Sequence, residues 1–137
     1  MHWQKAIEAG LFAKLTASSS LVALVGTRIF NELAPVDTPR PFVIYMLNSG
    51  KESNEQGERM ATATHTVIGV AASVGEAAGV QSAIDEALHE QTLTPGSGWV
   101  FVDCKLMTPV SYVEEVDHNQ FFKRGGNYRT RVNKEQV

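Results

Sequence analysis

The chain has a single cysteine, Cys104, so it can form no intrachain disulfide. That fits a protein made in a reducing compartment. No apolar run approaches the ~18 residues of a membrane span. Met1-His2-Trp3-Gln4-Lys5 lacks the basic start and long apolar stretch of a secretory leader. The expectation is a soluble chain with no sign of secretion. Positive charge is not in excess either. A net charge of −3 and a pI near 5.8 argue against a dedicated nucleic-acid binder. The four histidines, His2, His65, His89 and His118, contain no H-x-x-x-H pair. With one cysteine beside them they imply no metal site. The glycine pairs in Pro95-Gly96-Ser97-Gly98 and Gly125-Gly126 match neither a P-loop nor a dinucleotide fingerprint and read as turns. No internal repeat or linker interrupts the chain.

What is present is an ordinary globular composition. Of 137 residues, 43% are hydrophobic and 20% charged. That fits one domain, residues 1–137, with a core of its own. Trp3, Ile7, Leu11 and Leu15 recur four apart, with Phe12 beside them. The spacing predicts an amphipathic helix over 3–16, with Lys5, Glu8 and Lys14 off the stripe. Ser18-Ser19-Ser20 offers N-caps for a short second helix that Gly26 ends.

Beyond it the pattern turns to strands. Residues 28–33 read as a short strand, and 42–47 as a strand apolar on both faces. Residues 48–59 are too polar to pack and read as a mobile loop or an extended hairpin tip. Residues 60–73 are long and β-branched, with Met60, Thr62, Thr64, Thr66, Ile68 and Val70 on one face and His65 on the other. At ~3.3 Å per residue this strand exceeds ~40 Å. Its first half is expected to project from the body.

Ala77, Val80, Ile84, Ala87 and Leu88 predict a helix over 75–91, with Glu76 in its first turn. Strands follow at 99–107, with Val100, Val102, Cys104 and Leu106 on one face, and at 110–117, separated by Pro109. A loop is expected over 117–127. The last strand, 128–134, turns Tyr128, Thr130 and Val132 inward and Arg129 and Arg131 outward. The fold class is therefore α+β, in the order α-α-β-β-β-α-β-β-β. The sheet is mostly antiparallel, with helices packed on one side.

Groups with chemistry have plainer explanations. Cys104 beside Asp103, with His65 or His118, is conceivable as a thiol–imidazole pair. On an apolar strand face, however, it reads as a buried small hydrophobe. Glu114, Glu115 and Asp117 are conceivable as an acid–base cluster. Glu114 and Glu115 point to opposite faces of a strand, so a solvated edge or a subunit surface fits better. No catalytic residue is assigned, and no cofactor.

Two features remain. Asp85, Glu86 and Glu90 make the helix at 75–91 acidic, whereas Lys123, Arg124, Arg129, Arg131 and Lys134 make the C-terminal stretch basic. Complementary patches on one chain suit head-to-tail contact between copies, with Asp85, Glu86, Glu90, Arg129 and Arg131 as subunit-interface candidates. Simple solvation explains them as well. Phe121 and Phe122, flanked by Lys123 and Arg124, form a candidate docking tip; one phenylalanine folded onto the sheet is the alternative. Lys51, Glu52, Glu55 and Arg59 are the docking candidates in the other polar segment.

A helix, then Leu21-Val22-Ala23-Leu24-Val25-Gly26-Thr27-Arg28-Ile29, then Pro41 before Phe42-Val43-Ile44-Tyr45, then a long strand, an alanine-rich acidic helix and a strand with alternating arginines follow one another. In that string, over about residues 4–134, the chain resembles the tail-completion (tail-terminator) proteins of long-tailed, siphovirus-type bacteriophages. It departs in its last strand, where Asn127 to Val132 is more polar than the aromatic-rich string common in that family. The resemblance implies a structural virion protein, not an enzyme. Such a protein forms a ring, usually of six subunits, at the head-proximal end of the tail tube. The ring ends tube polymerisation and offers a surface for head joining. The implied partners are further copies of the chain, the tail tube protein and the head–tail connector or neck protein. No membrane and no sequence-specific nucleic acid are implied. The resemblance also implies assembly in the host cytoplasm and a place in the virion, at the head-proximal end of the tail. The alternatives are a head-closure or neck ring protein, or a small cytosolic enzyme or ligand-binding domain.

Overall fold

A computed structural model of the chain describes residues 1–55 and 58–135. Helix α1 (Trp3–Ala17) buries Ile7, Leu11 and Leu15, as the stripe predicts, and adds Ala6 and Gly10. Phe12 stays at the surface. Ser18 then starts α2 (Ser19–Val25) by accepting the Leu21 N–H on its hydroxyl at 3.3 Å. Gly26 ends α2 with φ at 60°, a conformation other residues adopt at a cost.

The strands are β1 (Ile29–Asn31), β2 (Phe42–Glu55), β3 (Glu58–Ala71), β4 (Trp99–Val116) and β5 (Asn119–Lys134), with α3 (Val74–Leu88) between β3 and β4. Ser73 caps α3 by accepting the Glu76 N–H, and the Glu76 side chain reaches back to the N–H of Ala72, one residue before the cap, at 3.1 Å, which fixes the entry of the helix. The sheet order is β1-β2-β3-β5-β4. The short β1 lies parallel to β2, and every other pair is antiparallel. One face of the sheet is covered: Ala61, Ala63 and Val67 of β3 and Tyr128 and Val132 of β5 join buried residues of α1, α2 and α3 in the main core. A smaller cluster of Phe42, Ile68 and Val70 lies on the other face, where no helix packs among the described residues. The fold class is the expected α+β, a mostly antiparallel sheet with helices on one side.

Several local expectations are corrected. The front of β3 does not project: Met60 to Thr66 is paired to β2 on one side and β5 on the other, and Ala61 and Ala63 are fully buried. Residues 48–55 continue β2 in an extended hairpin with β3; the tip at 56–57 lies outside the described residues. The segments 99–107 and 110–117 are one strand, so two long strands follow α3 where three are expected. Pro109 is tolerated because β4 is the edge strand and its outer side needs no ladder bond. Register shifts between Phe101 and Asp103 and between Leu106 and Thr108 break the simple alternation. Val100 and Val102 are therefore exposed, whereas Cys104 is buried. Residues 117–127 are not a loop. Asp117 and His118, at φ 50° and 66°, make the turn, and β5 starts at once. Gly125 and Gly126 are strand residues, not a turn. A Cβ on Gly125 would strike the Val67 carbonyl, so β3 and β5 approach closely only because it is glycine.

Candidate assembly surfaces

The sheet places alternate residues of each strand on opposite faces, and this sorts the charged candidates. Asp85, Glu86 and Glu90 belong to α3 and its C-terminal end, on the covered side. Arg129 and Arg131 stand on the open side. A single chain therefore does not bring the acidic and basic groups together. Each finds local partners instead. Half-buried Asp85 accepts the Tyr128 hydroxyl at 2.9 Å. Glu86 and Glu90 are exposed. Arg131 grips Asp103 of β4 through Nε and Nη2, and Arg129 lies 3.9 Å from the same carboxylate. The Arg131 hydrogen bond, more than the surrounding positive charge, holds the Asp103 carboxyl below its ordinary range. Lys123 pairs with Glu114 at 2.7 Å and stands over the Tyr112 ring. The basic C-terminal stretch is thus partly neutralised by acids of β4.

The docking candidates are placed on strands. Lys51 is exposed on β2, and Arg59 pairs with Glu52 across the β2–β3 hairpin. Glu55 closes β2, and its side chain lies outside the described part. Phe121 and Phe122 occupy opposite faces of β5 and are both half-buried. Phe121 packs on the Phe42–Ile68–Val70 cluster, with the Arg40 guanidinium 4.6 Å from its ring centre. Arg40 also donates to the Gln120 carbonyl at 2.9 Å. Beside this contact runs a groove of about 750 Å³, walled by Leu33, Arg40, Phe42, Val70, Val116 and Phe121. Arg124 is half-buried next to it in sequence.

Two arrangements escape the sequence reading. Glu8, placed off the α1 stripe, accepts from His65 Nε2 at 3.0 Å and from the Asn31 side chain at 3.2 Å. His65 is fully buried; burial pushes its pKa down, against the opposing pull of Glu8. Its Nδ1 has no hydrogen-bond partner among the described residues. The available signal is a histidine on the helix-facing side of a strand between Ala63 and Val67, where a polar ring needs a partner. The second is the β4–β5 arm. β3 ends opposite Phe122, so residues 114–121 run past it, and the whole end of the β4–β5 hairpin, residues 111–120, is exposed. Tyr112, Val113 and Val116 are among its exposed hydrophobic residues.

Cys104 is no nucleophile in this setting. Burial pushes its thiol up to about 11, and its sulfur accepts from the Thr130 hydroxyl at 3.5 Å. What the described surface offers is binding: a polar open sheet face, an apolar groove, an exposed arm and separated charge.

This fold carries a family signature. A family model described as Tail completion protein gp17 matches residues 9–119, most of the chain. The chain belongs to the tail completion protein gp17 family. As a tail completion protein it is a tail-associated structural protein of a phage-type virion. A solved structure entitled "Virion of native gene transfer agent (GTA) particle" contains a similar chain, with a TM-score of 0.75 and 19% identity. The likeness covers 96% of this tail completion protein and 97% of that chain, and it shows a shared fold. No curated protein sequence matches.

Proposed function

We infer that this tail completion protein forms a ring, of six subunits, at the head-proximal end of the tail tube. There it ends polymerisation of the tube protein and presents the surface to which the head connector joins. The observation that carries this reading is the family match over residues 9–119. The chain acts as one domain, residues 1–137, by shape and charge rather than by catalysis. Its partners are further copies of itself, the tail tube protein and the connector or neck protein.

The sorted charges support contact between copies. Glu86 and Glu90 on the helix side and Arg129 on the open face are separated within one chain, so each is free to meet a neighbouring copy or a docking partner on its own side. Lys51, Glu52, Arg59 and the Phe121–Arg124 stretch serve docking to the tube or the head.

The test is deletion of the gene from its phage or prophage, followed by negative-stain microscopy. Overlong headless tubes beside filled heads establish a terminator. Tails of normal length beside leaking or unjoined heads move the protein to head closure. Intact virions remove the assembly role.

A further inference from the structure

The sheet is open at both edges, and each edge is half covered. On β2, β1 pairs only with Val43 to Tyr45. From Met46 to Glu55 no other strand pairs with that edge among the described residues. On β4, the segment after α3 occupies the lower part of the outer edge. The Glu90 N–H donates to the Cys104 carbonyl at 2.9 Å, and His89 Nδ1 accepts the Leu106 N–H at 3.0 Å. Beyond Pro109 that cover ends, and among the described residues no strand pairs with the outer edge of Val110 to Val116. Only the far part of this stretch, from Glu114 onward, has passed the end of β3 and is two strands wide; Val110 to Val113 still have β5 and then β3 beside them. A two-stranded ribbon is marginal in water, and an uncovered apolar edge invites pairing. Val113 is 54% exposed there.

The two free stretches fit each other. β2 and β5 run in one direction and β3 and β4 in the other, so a copy placed edge to edge in the same orientation brings β4 antiparallel to the neighbouring β2. The free stretches sit at opposite ends of the sheet, because Tyr112 shares a row with Lys123, Val70 and Phe42, whereas β2 is free from Met46 onward. Copies must therefore join with a stagger, as closure of a sheet into a barrel requires. With helices on one face only, their bulk stays outside and the open face turns inward. The arm carries Glu114, Glu115 and Asp117, whereas the β2 edge mixes the exposed Lys51 with Glu52, which is paired to Arg59, and Glu55. Arm-to-arm pairing would set acids against acids.

Resting on the ring reading above, we propose that the ring closes through its sheets. The β4 edge of one copy, Val110 to Val116, adds antiparallel to the β2 edge of the next copy beyond Met46. The test is disulfide trapping. Glu114→Cys is combined in turn with Ser49→Cys, Lys51→Cys and Ser53→Cys, all on the open face. In one chain these positions are three strand spacings apart sideways, roughly 14 Å, and lie at opposite ends of the sheet besides. That exceeds the ~7 Å limit on Cα separation for a disulfide. Buried Cys104 is left in place. The expected result is a covalent ladder from at least one double variant, in purified protein and in assembled particles, and none from the single variants. A covalent dimer from Glu114→Cys alone shows arm-to-arm pairing and overturns the proposal. Rings seen by native mass spectrometry with no ladder overturn the edge contact but leave the ring standing. A chain that stays monomeric, free and in the presence of tail tubes, removes the ring and the edge contact together.

Discussion

Glu8 of α1 and His65 of β3 meet at 3.0 Å beneath the helix layer, joining the N-terminal helix to the middle of the sheet. Burial holds the His65 pKa below its ordinary 6.5, and the Glu8 hydrogen bond and charge offset this only in part. With the folded value below the unfolded one, the unfolded chain binds the proton more readily. Stability is therefore complete above pH ~6.5 and falls as the pH drops from there towards the lowered folded value. Urea unfolding midpoints between pH ~8 and ~5 should show that decline. His65→Gln, which keeps a donor for Glu8 but does not titrate, should flatten it. An equal decline in both proteins would assign the effect to other groups.

Arg131 and Asp103 make a stability contact inside the chain, whatever the neighbouring copy does. Arg131 is about a third exposed, and solvent screening limits the pair. A double-mutant cycle with Arg131→Ala and Asp103→Ala should give a coupling of about 0.5–1 kcal/mol. Asp103, held below its ordinary 3.8, adds stability that is present above that value and lost as the pH falls through the folded one. Charge reversal at Arg131 thus perturbs the monomer as well as any interface. Arg129, set farther from Asp103, is the cleaner probe of assembly. Its neutralisation, Arg129→Gln, should weaken oligomers while lowering the melting temperature less than Arg131→Ala does, and normal oligomers and tails would reject it as an interface residue.

Local periodicity made the helices and the core legible. The four-residue spacing from Trp3 to Leu15 and the run from Ala77 to Leu88 put the right residues inside, and the alternation of Tyr128, Thr130 and Val132 gave the buried face of β5. Tertiary pairing hid the rest. Pro109 reads as a break until β4 is known to be an edge, and Gly125-Gly126 reads as a turn until β3 is known to lie against it. The bulge near Val102 reverses an alternation that looks regular in the sequence. Asp117-His118 lacks the glycine that usually marks a two-residue turn. Glu8, Asn31 and His65 are far apart in sequence, so no motif could link them. The charge segregation was legible, but its division between the two faces of one sheet was not.

Cys104 should be silent to thiol reagents in the folded protein. Its thiol is buried and pushed up to about 11, so little thiolate exists near neutrality. A maleimide at pH ~7.5 should label the native chain far more slowly than the urea-unfolded chain. Rapid labelling of the native chain would mean that β4 opens locally near Cys104, in the stretch that His89 and Glu90 cover.

Phe121 and Val113 lie on the same arm but should fail in different assays. Phe121→Ser removes a ring that packs on Phe42, Ile68 and Val70 and deprives Arg40 of its aromatic face. A half-buried phenylalanine in that position should cost about 1–3 kcal/mol of folding stability. Val113 is exposed, so Val113→Ser should change stability by less than ~0.5 kcal/mol. If the arm is a contact between copies, the second variant should nevertheless weaken assembly while the monomer melts normally. Calorimetry and sedimentation of the two variants separate the roles. A large loss of stability in Val113→Ser would make the outer arm part of the core. Unchanged stability in Phe121→Ser would mean that the arm root contributes little to the fold and that its aromatic ring is available to a partner.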